Sequence, residues 1–310
     1  MLLVRYRIGF LKLVVIVSLS TGSDAYAALT FGLQFTANAT SLYDAATQQL
    51  FQDGLNFWDD IIDGHRDEVS RNWVIEVDAF NEPPVDGGIL LGSAGPSSLA
   101  FSGVVADAHT SNSRFIISTA GRARFNTNPA AVLTLDTIKH EFGHALGIGT
   151  LWEDNEVYND GEDNNSNRTL AVGTPGQYVG QAALAAYRNE FVGQENATFI
   201  PVELGGGEGT AHGHWDEQDN FGQSNTGIVD HQGRDLRFEL MTGYAAPGDD
   251  FLAEFTRQAL FDIGFTLHAV AVPEPNSLML LASLAIMSVA LRGRNSRRQP
   301  LAGTDKRTDT

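Results

Sequence analysis

The sequence predicts an α+β fold, and three observations carry that prediction. Apolar residues recur at helical spacing from Ser41 to Ile62, which indicates a long first helix. The stretch Asn72–Phe80 is rich in β-branched residues and indicates a strand. Residues 133–149 again show helical spacing, and the chain after Gly147 is rich in loop-forming residues. We therefore expect strands and helices up to Gly147, followed by a loop-rich C-terminal part.

Four further elements complete this layout. Two more strand candidates lie before the helix of residues 133–149, and two helices lie after it. The strand candidates are Gly87–Gly95 and Ser113–Phe125, and the helices are Tyr178–Phe191 and Phe251–Phe265. A core of about 245 residues suits one domain in two lobes.

The N-terminus has the pattern of a secretory signal peptide. Arg5, Arg7 and Lys12 precede the apolar run Leu13–Leu19, and an Ala-Tyr-Ala triplet that ends at Ala27 follows. A basic start, a short apolar run and small residues before the cleavage point are the features of such peptides. We expect cleavage after Ala27 and export of the remaining chain.

The C-terminal segment also carries a targeting pattern. A Pro-Glu-Pro triplet begins at Pro273, an apolar run of 14 residues extends from Leu278 to Leu291, and four arginines follow within residues 292–298. As a helix, this run spans about 21 Å, which is short of the ~30 Å hydrocarbon core. The arrangement resembles the PEP-CTERM sorting tail, which exosortase-type machinery recognises in Gram-negative bacteria. The resemblance implies transient membrane contact through the tail and a protein that is extracellular or associated with the cell surface or matrix.

These observations divide the chain into four predicted parts. Residues 1–27 are the signal peptide, and residues 28–149 are the N-terminal lobe, which ends in the helix described below as a metal helix. Residues 150–271 are the C-terminal lobe, and residues 272–310 are the sorting tail.

Acidic residues strongly outnumber basic ones. The chain has 38 acidic and 20 basic residues, which gives a net charge of −18. Both ends are basic, so the region between Ala27 and Pro273 carries a net charge of −23. Such a surface repels nucleic acid, and we expect no nucleic-acid partner. The chain has no cysteine, so neither disulfides nor a thiolate metal ligand are available to it.

A metal-binding pattern lies in the helix predicted before Gly147. His140 and His144 are four residues apart, so both imidazoles project from one helical face, with Glu141 beside them. Catalytic zinc takes three protein ligands and keeps an open position. Gly147 permits a sharp turn at the end of the helix, so a later segment of the chain can pass beneath the metal and supply a further ligand. A compact version of the motif would have a histidine at Thr150, so either the third ligand lies elsewhere or the site does not hold metal.

Three of the other histidines are candidates for the third ligand. His212 and His214 follow a glycine-rich stretch, and His214 directly precedes Trp-Asp-Glu. Further on, Met241 lies in a short apolar run followed by Thr-Gly, as in the methionine turn that metzincins place beneath their metal. His212 stays open as an alternative because a glycine-rich approach can shift the register by two. His231 stays open because it lies in the stretch between His214 and Met241.

Four stretches, in this order, resemble the leishmanolysin-like zinc metalloendopeptidases, which are metzincins. They are HEFGHALGIGTLW, YVGQAALAAYR, PVELGGGEGTAHGHWDE and ELMTGY, and the matching region extends from about Gly87 to about Gly264. The resemblance implies that His140, His144 and His214 are the zinc ligands. It also implies a metzincin-like two-lobed α+β fold, with a twisted mixed sheet and helices in the N-terminal lobe and a loop-rich C-terminal lobe.

The same resemblance assigns further roles. It implies that Glu141 is the general base and that Met241 is the methionine of the turn. About 26 residues separate His214 from Met241, which is longer than is typical of the family and marks a local insertion that contains His231. Some metzincins use a tyrosine two residues after the methionine to stabilise the oxyanion, whereas Tyr244 stands three residues after it.

We therefore expect a secreted zinc-dependent endopeptidase that acts on protein or peptide substrates, with Glu141 activating the attacking water. The alternative is a catalytically inactive, matrix-associated binding or structural protein on the same fold. A gluzincin-like site with Glu190 as the third ligand is a further alternative, against which Gly147 and the block around Met241 argue. The carboxylates and amides of residues 153–167 make calcium a second candidate ion, although their spacing matches no ordered loop motif.

Overall fold

The computed structural model describes residues 28–85, 88–159, 176–205, 207, 209–217, 224–244 and 250–269. The predicted signal peptide and sorting tail lie outside these residues, as does the second half of the predicted calcium loop. The chain divides into the units Met1–His268 and Ala269–Thr310. The predicted lobe boundary between residues 149 and 150 falls within the first unit.

The first unit contains both helices and strands, in agreement with the predicted α+β class. In chain order the elements are β1 (Leu29–Phe35), α1 (Ala37–Leu42), α2 (Ala45–Asp59), β2 (Ile62–His65), β3 (Arg71–Phe80), β4 (Gly92–Phe101), β5 (Ile116–Asn126), α3 (Leu135–Leu146), β6 (Tyr158–Asn159), β7 (Gly176–Tyr178), α4 (Gln181–Glu190), β8 (Ile200–Val202), α5 (Glu254–Asp262) and β9 (Phe265–Leu267). Among the described residues, no helix combines the length and the apolar character that crossing a membrane requires.

The largest sheet is mixed, as predicted. Its strand order is β1-β3-β5-β4, with β1, β3 and β5 parallel and β4 antiparallel to β5 at one edge. Along β3, burial alternates as a half-buried strand requires, and Trp73, Ile75, Val77 and Ala79 are all buried. These side chains belong to one hydrophobic core with residues of α2 and α3.

The long first helix predicted within Ser41–Ile62 is observed as α2, but it starts at Ala45, and the separate short helix α1 ends at Leu42. Tyr43 is extended (φ −97°, ψ 121°) and ends α1. Asp44 then starts α2 as its N-cap, and its carboxylate accepts hydrogen bonds from the backbone N–H and the hydroxyl of Thr47, both at 2.8 Å. The short side chain of Asp44 competes for backbone N–H groups and so interrupts the helix, although the apolar spacing continues across this position.

The predicted bounds of β4 also need correction. The predicted strand started at Gly87, whereas β4 starts at Gly92 and continues to Phe101. Before Gly92 both the backbone and the side chain of Asn126 hold the chain, since Asn126 N–H donates to Leu91 O at 2.8 Å and Asn126 Nδ2 donates to Leu90 O at 2.9 Å. The strand predicted at 113–125 is observed as β5, shifted by a few residues.

The helix α3 has a defined start and end. Thr134 caps its first turn by accepting the backbone N–H of Thr137 at 3.1 Å. Gly147 ends it with φ of 123°, a conformation that favours glycine, as the sequence predicted. The helix buries Ile138, Phe142 and other apolar residues against the core, which fixes the face that carries the two histidines.

The helices α4 and α5 cap one another. Glu190, the last residue of α4, accepts the backbone N–H groups of Glu254 and Phe255 at the start of α5. Asp262, the last residue of α5, accepts those of Ala182 and Ala183 at the start of α4. The two helices therefore lie antiparallel, and each carboxylate also meets the positive end of the other helix dipole.

The strand pair β2–β9 contains a buried histidine. His65 is 1% exposed, its ring is stacked on Phe265 with centroids 4.8 Å apart, and neither ring nitrogen has a hydrogen-bond partner. Burial, together with the nearby charge of Arg71, lowers the pKa of His65 to about 4, while Asp67 opposes this shift.

This histidine predicts a loss of stability in acid. The folded-state pKa lies below the unfolded value of 6.5, so the unfolded chain binds the extra proton first as the pH falls. Between pH 7 and pH 4 the protein should lose about 3 kcal/mol of unfolding free energy through this one group. Urea unfolding at both pH values should show a smaller pH dependence for His65→Leu than for wild type. The exposed His231 provides the control, and an equal effect of His231→Leu would contradict the assignment.

Candidate metal centre

Three histidine side chains converge at one point. His140 and His144 lie one turn apart on α3, and His214 comes from the loop that follows β8. Their Nε2 atoms are 3.1 Å apart for His140 and His214, 3.0 Å for His140 and His144, and 2.9 Å for His144 and His214. Among the described residues, these histidines are the group of His, Cys, Asp or Glu side chains that could hold a metal ion.

Backbone carbonyls fix the tautomer of each ring. Every Nδ1 atom of the three histidines faces a carbonyl oxygen, which can only accept a hydrogen bond. The acceptors are Leu240 for His140 (2.7 Å), Ile148 for His144 (2.9 Å) and Thr210 for His214 (2.7 Å). Each Nδ1 atom therefore carries the proton, and each Nε2 atom of a neutral ring presents a lone pair.

This donor set fits a divalent cation. Burial lowers the pKa of all three imidazoles and keeps the rings neutral. Three lone pairs within 3.1 Å of one another repel unless a cation lies among them. Zinc–imidazole bonds of ~2.0–2.1 Å put tetrahedral ligand nitrogens ~3.3 Å apart, close to the separations found here. The residues present therefore suit an ion of the zinc type.

The backbone at Gly149, after α3, and the backbone at Gly213 cross closely, and this crossing positions His214 beside His140 and His144. Gly149 has φ of 76°, and a Cβ atom on it would lie only 2.1 Å from the carbonyl oxygen of Gly213. Only a glycine at this position lets the loop pass so near the exit of α3. Beyond the ligand, the ring of Trp215 packs on Trp152 with centroids 4.5 Å apart, which anchors the loop in the core.

Met241 lies directly beneath α3. It is fully buried, and a Cβ atom on Gly143 would lie 2.8 Å from its sulfur. The preceding Leu240 supplies the carbonyl that orients His140, and the Met241 carbonyl accepts the backbone N–H of Trp215 at 3.1 Å. The turn that contains Leu240 and Met241 therefore contacts both α3 and the loop that carries His214.

Glu239 holds the turn in place, and the sequence analysis missed it. Its buried carboxylate accepts the backbone N–H of Met241 at 2.7 Å, that of Ala253 at 3.1 Å and the hydroxyl of Thr256 at 2.7 Å. The same hydroxyl accepts the indole N–H of Trp215 at 2.9 Å. Burial raises the pKa of Glu239 to about 8. Glu239 is the first residue of the stretch ELMTGY, but its role was missed because its partners at Ala253 and Thr256 are distant in sequence.

Glu141 lies against the edge strand β4. It is 7% exposed, and burial raises its pKa to about 8. A Cβ atom on Gly92 would lie 2.9 Å from the Cγ, Cδ and Oε1 atoms of Glu141. Gly92 therefore leaves the space that this carboxyl group occupies.

The three histidines and Glu141 line one cleft of about 520 Å³. The other described residues of its lining come from the start of β4, the segment after α3 and the glycine-rich loop. They are Leu90, Gly92, Ser93, Ala94, Gly149, Thr150, Glu153, Asp154, Tyr158, Gly209, Ala211, His212 and Gly213.

The remaining candidate residues lie away from the three Nε2 atoms. His212 lines the cleft, and its Nδ1 atom is 2.8 Å from the hydroxyl of Tyr158. His231 is exposed, and its backbone N–H donates to Glu190 O. Tyr244 is half-buried and is not among the described residues of the cleft lining. The carboxylate of Glu190 caps α5, as described above.

Comparison with known proteins bears on one part of the chain. The PEP-CTERM protein-sorting motif is matched by residues 271–298, which confirms the sorting tail predicted from the sequence. This motif implies recognition by exosortase-type sorting machinery, and it indicates export and surface sorting in Gram-negative bacteria. No curated protein and no solved structure matches the chain.

The geometry predicts which histidines hold zinc. Purified wild-type protein should contain one zinc ion per chain, and His214→Ala should lose it because two ligands hold zinc poorly. His212→Ala and His231→Ala are the matched controls and should keep the metal. Zinc content measured by elemental analysis, with circular dichroism to verify folding, tests all three. A folded His214→Ala variant with a full zinc complement would place the third ligand elsewhere.

Proposed function

We propose that this protein is a secreted zinc-dependent endopeptidase of the leishmanolysin-like metzincin class. One observation carries the proposal, namely that three unprotonated Nε2 atoms converge within 3.1 Å beside a carboxyl group in a cleft. The exit of α3 at Gly147 and the position of Met241 beneath the helix support the metzincin assignment. The capping role of Glu190 speaks against a gluzincin-like site.

The chemistry follows from the residues of the cleft. Zinc, when bound, supplies Lewis acidity at the three histidines. Glu141 shares their cleft and lies one residue after His140, so it can take a proton from the attacking water and deliver it to the leaving amine. The carbonyl groups that bind each Nδ1 atom keep the ligand rings oriented during this proton transfer.

The edge strand β4 offers a way to bind an extended polypeptide. Among the described residues, β4 pairs with β5 on one side and with no strand on the other. On the paired side, Leu91 O accepts the backbone N–H of Asn126 at 2.8 Å. Because backbone direction alternates along a strand, the N–H and C=O groups of Gly92 and Ala94 face away from β5. A substrate segment can add to this edge as a further strand, which would bring a peptide bond next to Glu141.

The sorting tail complements this function. Export would bring the enzyme to protein substrates outside the cell, and the tail would give it transient membrane contact before release or retention at the surface. The strongly acidic composition of the chain favours solubility in that setting.

Peptide hydrolysis by purified protein tests the proposal. Wild-type protein with one zinc should cleave casein or a fluorogenic peptide, and chelation of the metal should abolish cleavage. Glu141→Gln should keep zinc and the fold but lose activity by ~10²-fold or more, because the general base is gone. A zinc-loaded wild-type protein that cleaves nothing would instead support the inactive, matrix-associated binding protein.

Gly92 provides a second test of the same site. Gly92→Ala should push the carboxyl group of Glu141 away, since the new Cβ would stand 2.9 Å from it. We expect kcat to fall on the order of 10²-fold with zinc content unchanged, as small displacements of a reacting group cost this much.

Gly95→Ala on the same strand is the matched control. A Cβ atom on Gly95 would meet only the Thr150 methyl group, at 4.0 Å. Gly95→Ala should therefore keep wild-type kcat. Equal activities of Gly92→Ala and wild type would show that Glu141 does not need this space.

A further inference from the structure

His212 has a fixed and unusual backbone conformation. Its φ is 66°, in the left-handed region that few residues other than glycine adopt, although histidine is enriched there. Its backbone N–H donates to Glu203 O at 2.7 Å, and Glu203 N–H donates to His214 O at 2.9 Å. Because these bonds tie His212 to the ligand His214, the position of its ring relative to the metal centre is set. Residues in such conformations are concentrated at functional sites.

The ring of His212 is oriented by Tyr158. The Tyr158 ring is 6% exposed, and its hydroxyl group lies 2.8 Å from Nδ1 of His212. A phenol is a stronger acid than the N–H of a neutral imidazole, which favours the arrangement in which the hydroxyl donates and Nδ1 accepts. The proton of the neutral His212 ring is then on Nε2, which is the opposite tautomer from the three ligand histidines.

This tautomer gives the cleft an imidazole N–H donor, beside the Ser93 hydroxyl, which accepts one hydrogen bond and can still donate its own proton. The ligand rings use their Nδ1–H groups on backbone carbonyls. The Thr150 hydroxyl donates to His144 O at 2.9 Å, and the Ser93 hydroxyl accepts from Arg124 at 3.3 Å. Neither lysine nor arginine is among the described residues of the lining. His212 is the residue there whose ring N–H has no such acceptor.

We propose that His212 is a catalytic residue that donates its Nε2–H to the carbonyl oxygen of the scissile peptide as negative charge develops on it, with Tyr158 as the positioning residue. This inference rests on the proposed function. A preorganised donor at such an oxygen stabilises the transition state more than the ground state. The proton stays on His212 throughout, while Glu141 carries the proton from water to the leaving amine.

Two substitutions of His212 distinguish the role of its Nδ1 atom from that of its Nε2 atom. Asn tolerates the left-handed backbone and keeps a polar atom near the Nδ1 position, so His212→Asn retains the bond to Tyr158 and loses only the distal donor. Gln extends an amide N–H towards the Nε2 position. We expect His212→Asn to lower kcat ~10²–10³-fold with KM nearly unchanged, as removal of an oxyanion donor does. His212→Gln should recover part of that loss, and both variants should keep one zinc per chain.

Tyr158→Phe tests the positioning role. It should lower kcat less than His212→Asn does, and it should add nothing further in the His212→Asn background, because the two residues act as one unit. His231→Asn is the matched control for an exposed histidine outside the cleft and should behave as wild type. Nitrogen-15 NMR of zinc-loaded protein should show His212 protonated on Nε2 and the three ligands protonated on Nδ1.

Each adverse result has its own meaning. Full activity of His212→Asn beside an inactive Glu141→Gln overturns this inference and leaves the proposed function standing. Loss of zinc from His212→Asn, or a proton on Nδ1 of His212, also overturns it. A zinc-loaded wild type without peptidase activity overturns the proposed function and this inference together.

Discussion

The geometry of the site depends on three hydrogen bonds from imidazole Nδ1–H groups to backbone carbonyls. The carbonyls belong to Leu240, Ile148 and Thr210, which lie in the methionine turn, the exit of α3 and the glycine-rich loop. Because each bond fixes one tautomer, the three Nε2 lone pairs must point inward. The segments that supply the carbonyls must therefore be held rigidly, and much of the surrounding structure does this.

Buried carboxylates provide much of that rigidity. Glu239 joins the methionine turn to α5, and Glu190 and Asp262 join α4 to α5, in each case by accepting backbone N–H groups. In a chain with no cysteine and an excess of acidic residues, many carboxylates are available for hydrogen bonds of this kind between segments. Each bond also satisfies a donor at a helix start or a turn that would otherwise be buried without a partner.

The sequence predicts those parts of the structure that local pattern controls. The alternation of β3, the spacing of His140 and His144 and the positive φ of Gly147 all depend on neighbouring residues. The break at Asp44 escaped prediction because the apolar spacing continues across it. The residues alone left His212, His214 and His231 as candidates, and only the resemblance selected His214, since it is 70 residues from His144. The contacts of Glu239 with Ala253 and Thr256, and of Tyr158 with His212, join distant segments, which no local pattern records.

The convergence of the ligand groups costs folding free energy unless a cation lies among them. Three lone pairs face one another, and Glu141 is buried beside them without a basic partner among the described residues of the cleft. Both features cost folding free energy, and a divalent cation relieves both, because it attracts the lone pairs and the carboxylate together. The crossing at Gly149 and the turn at Met241 exist only when the ligand segments are assembled. Binding of a divalent cation at the three histidines would therefore be coupled to the docking of these segments onto α3, and the cation would stabilise the fold.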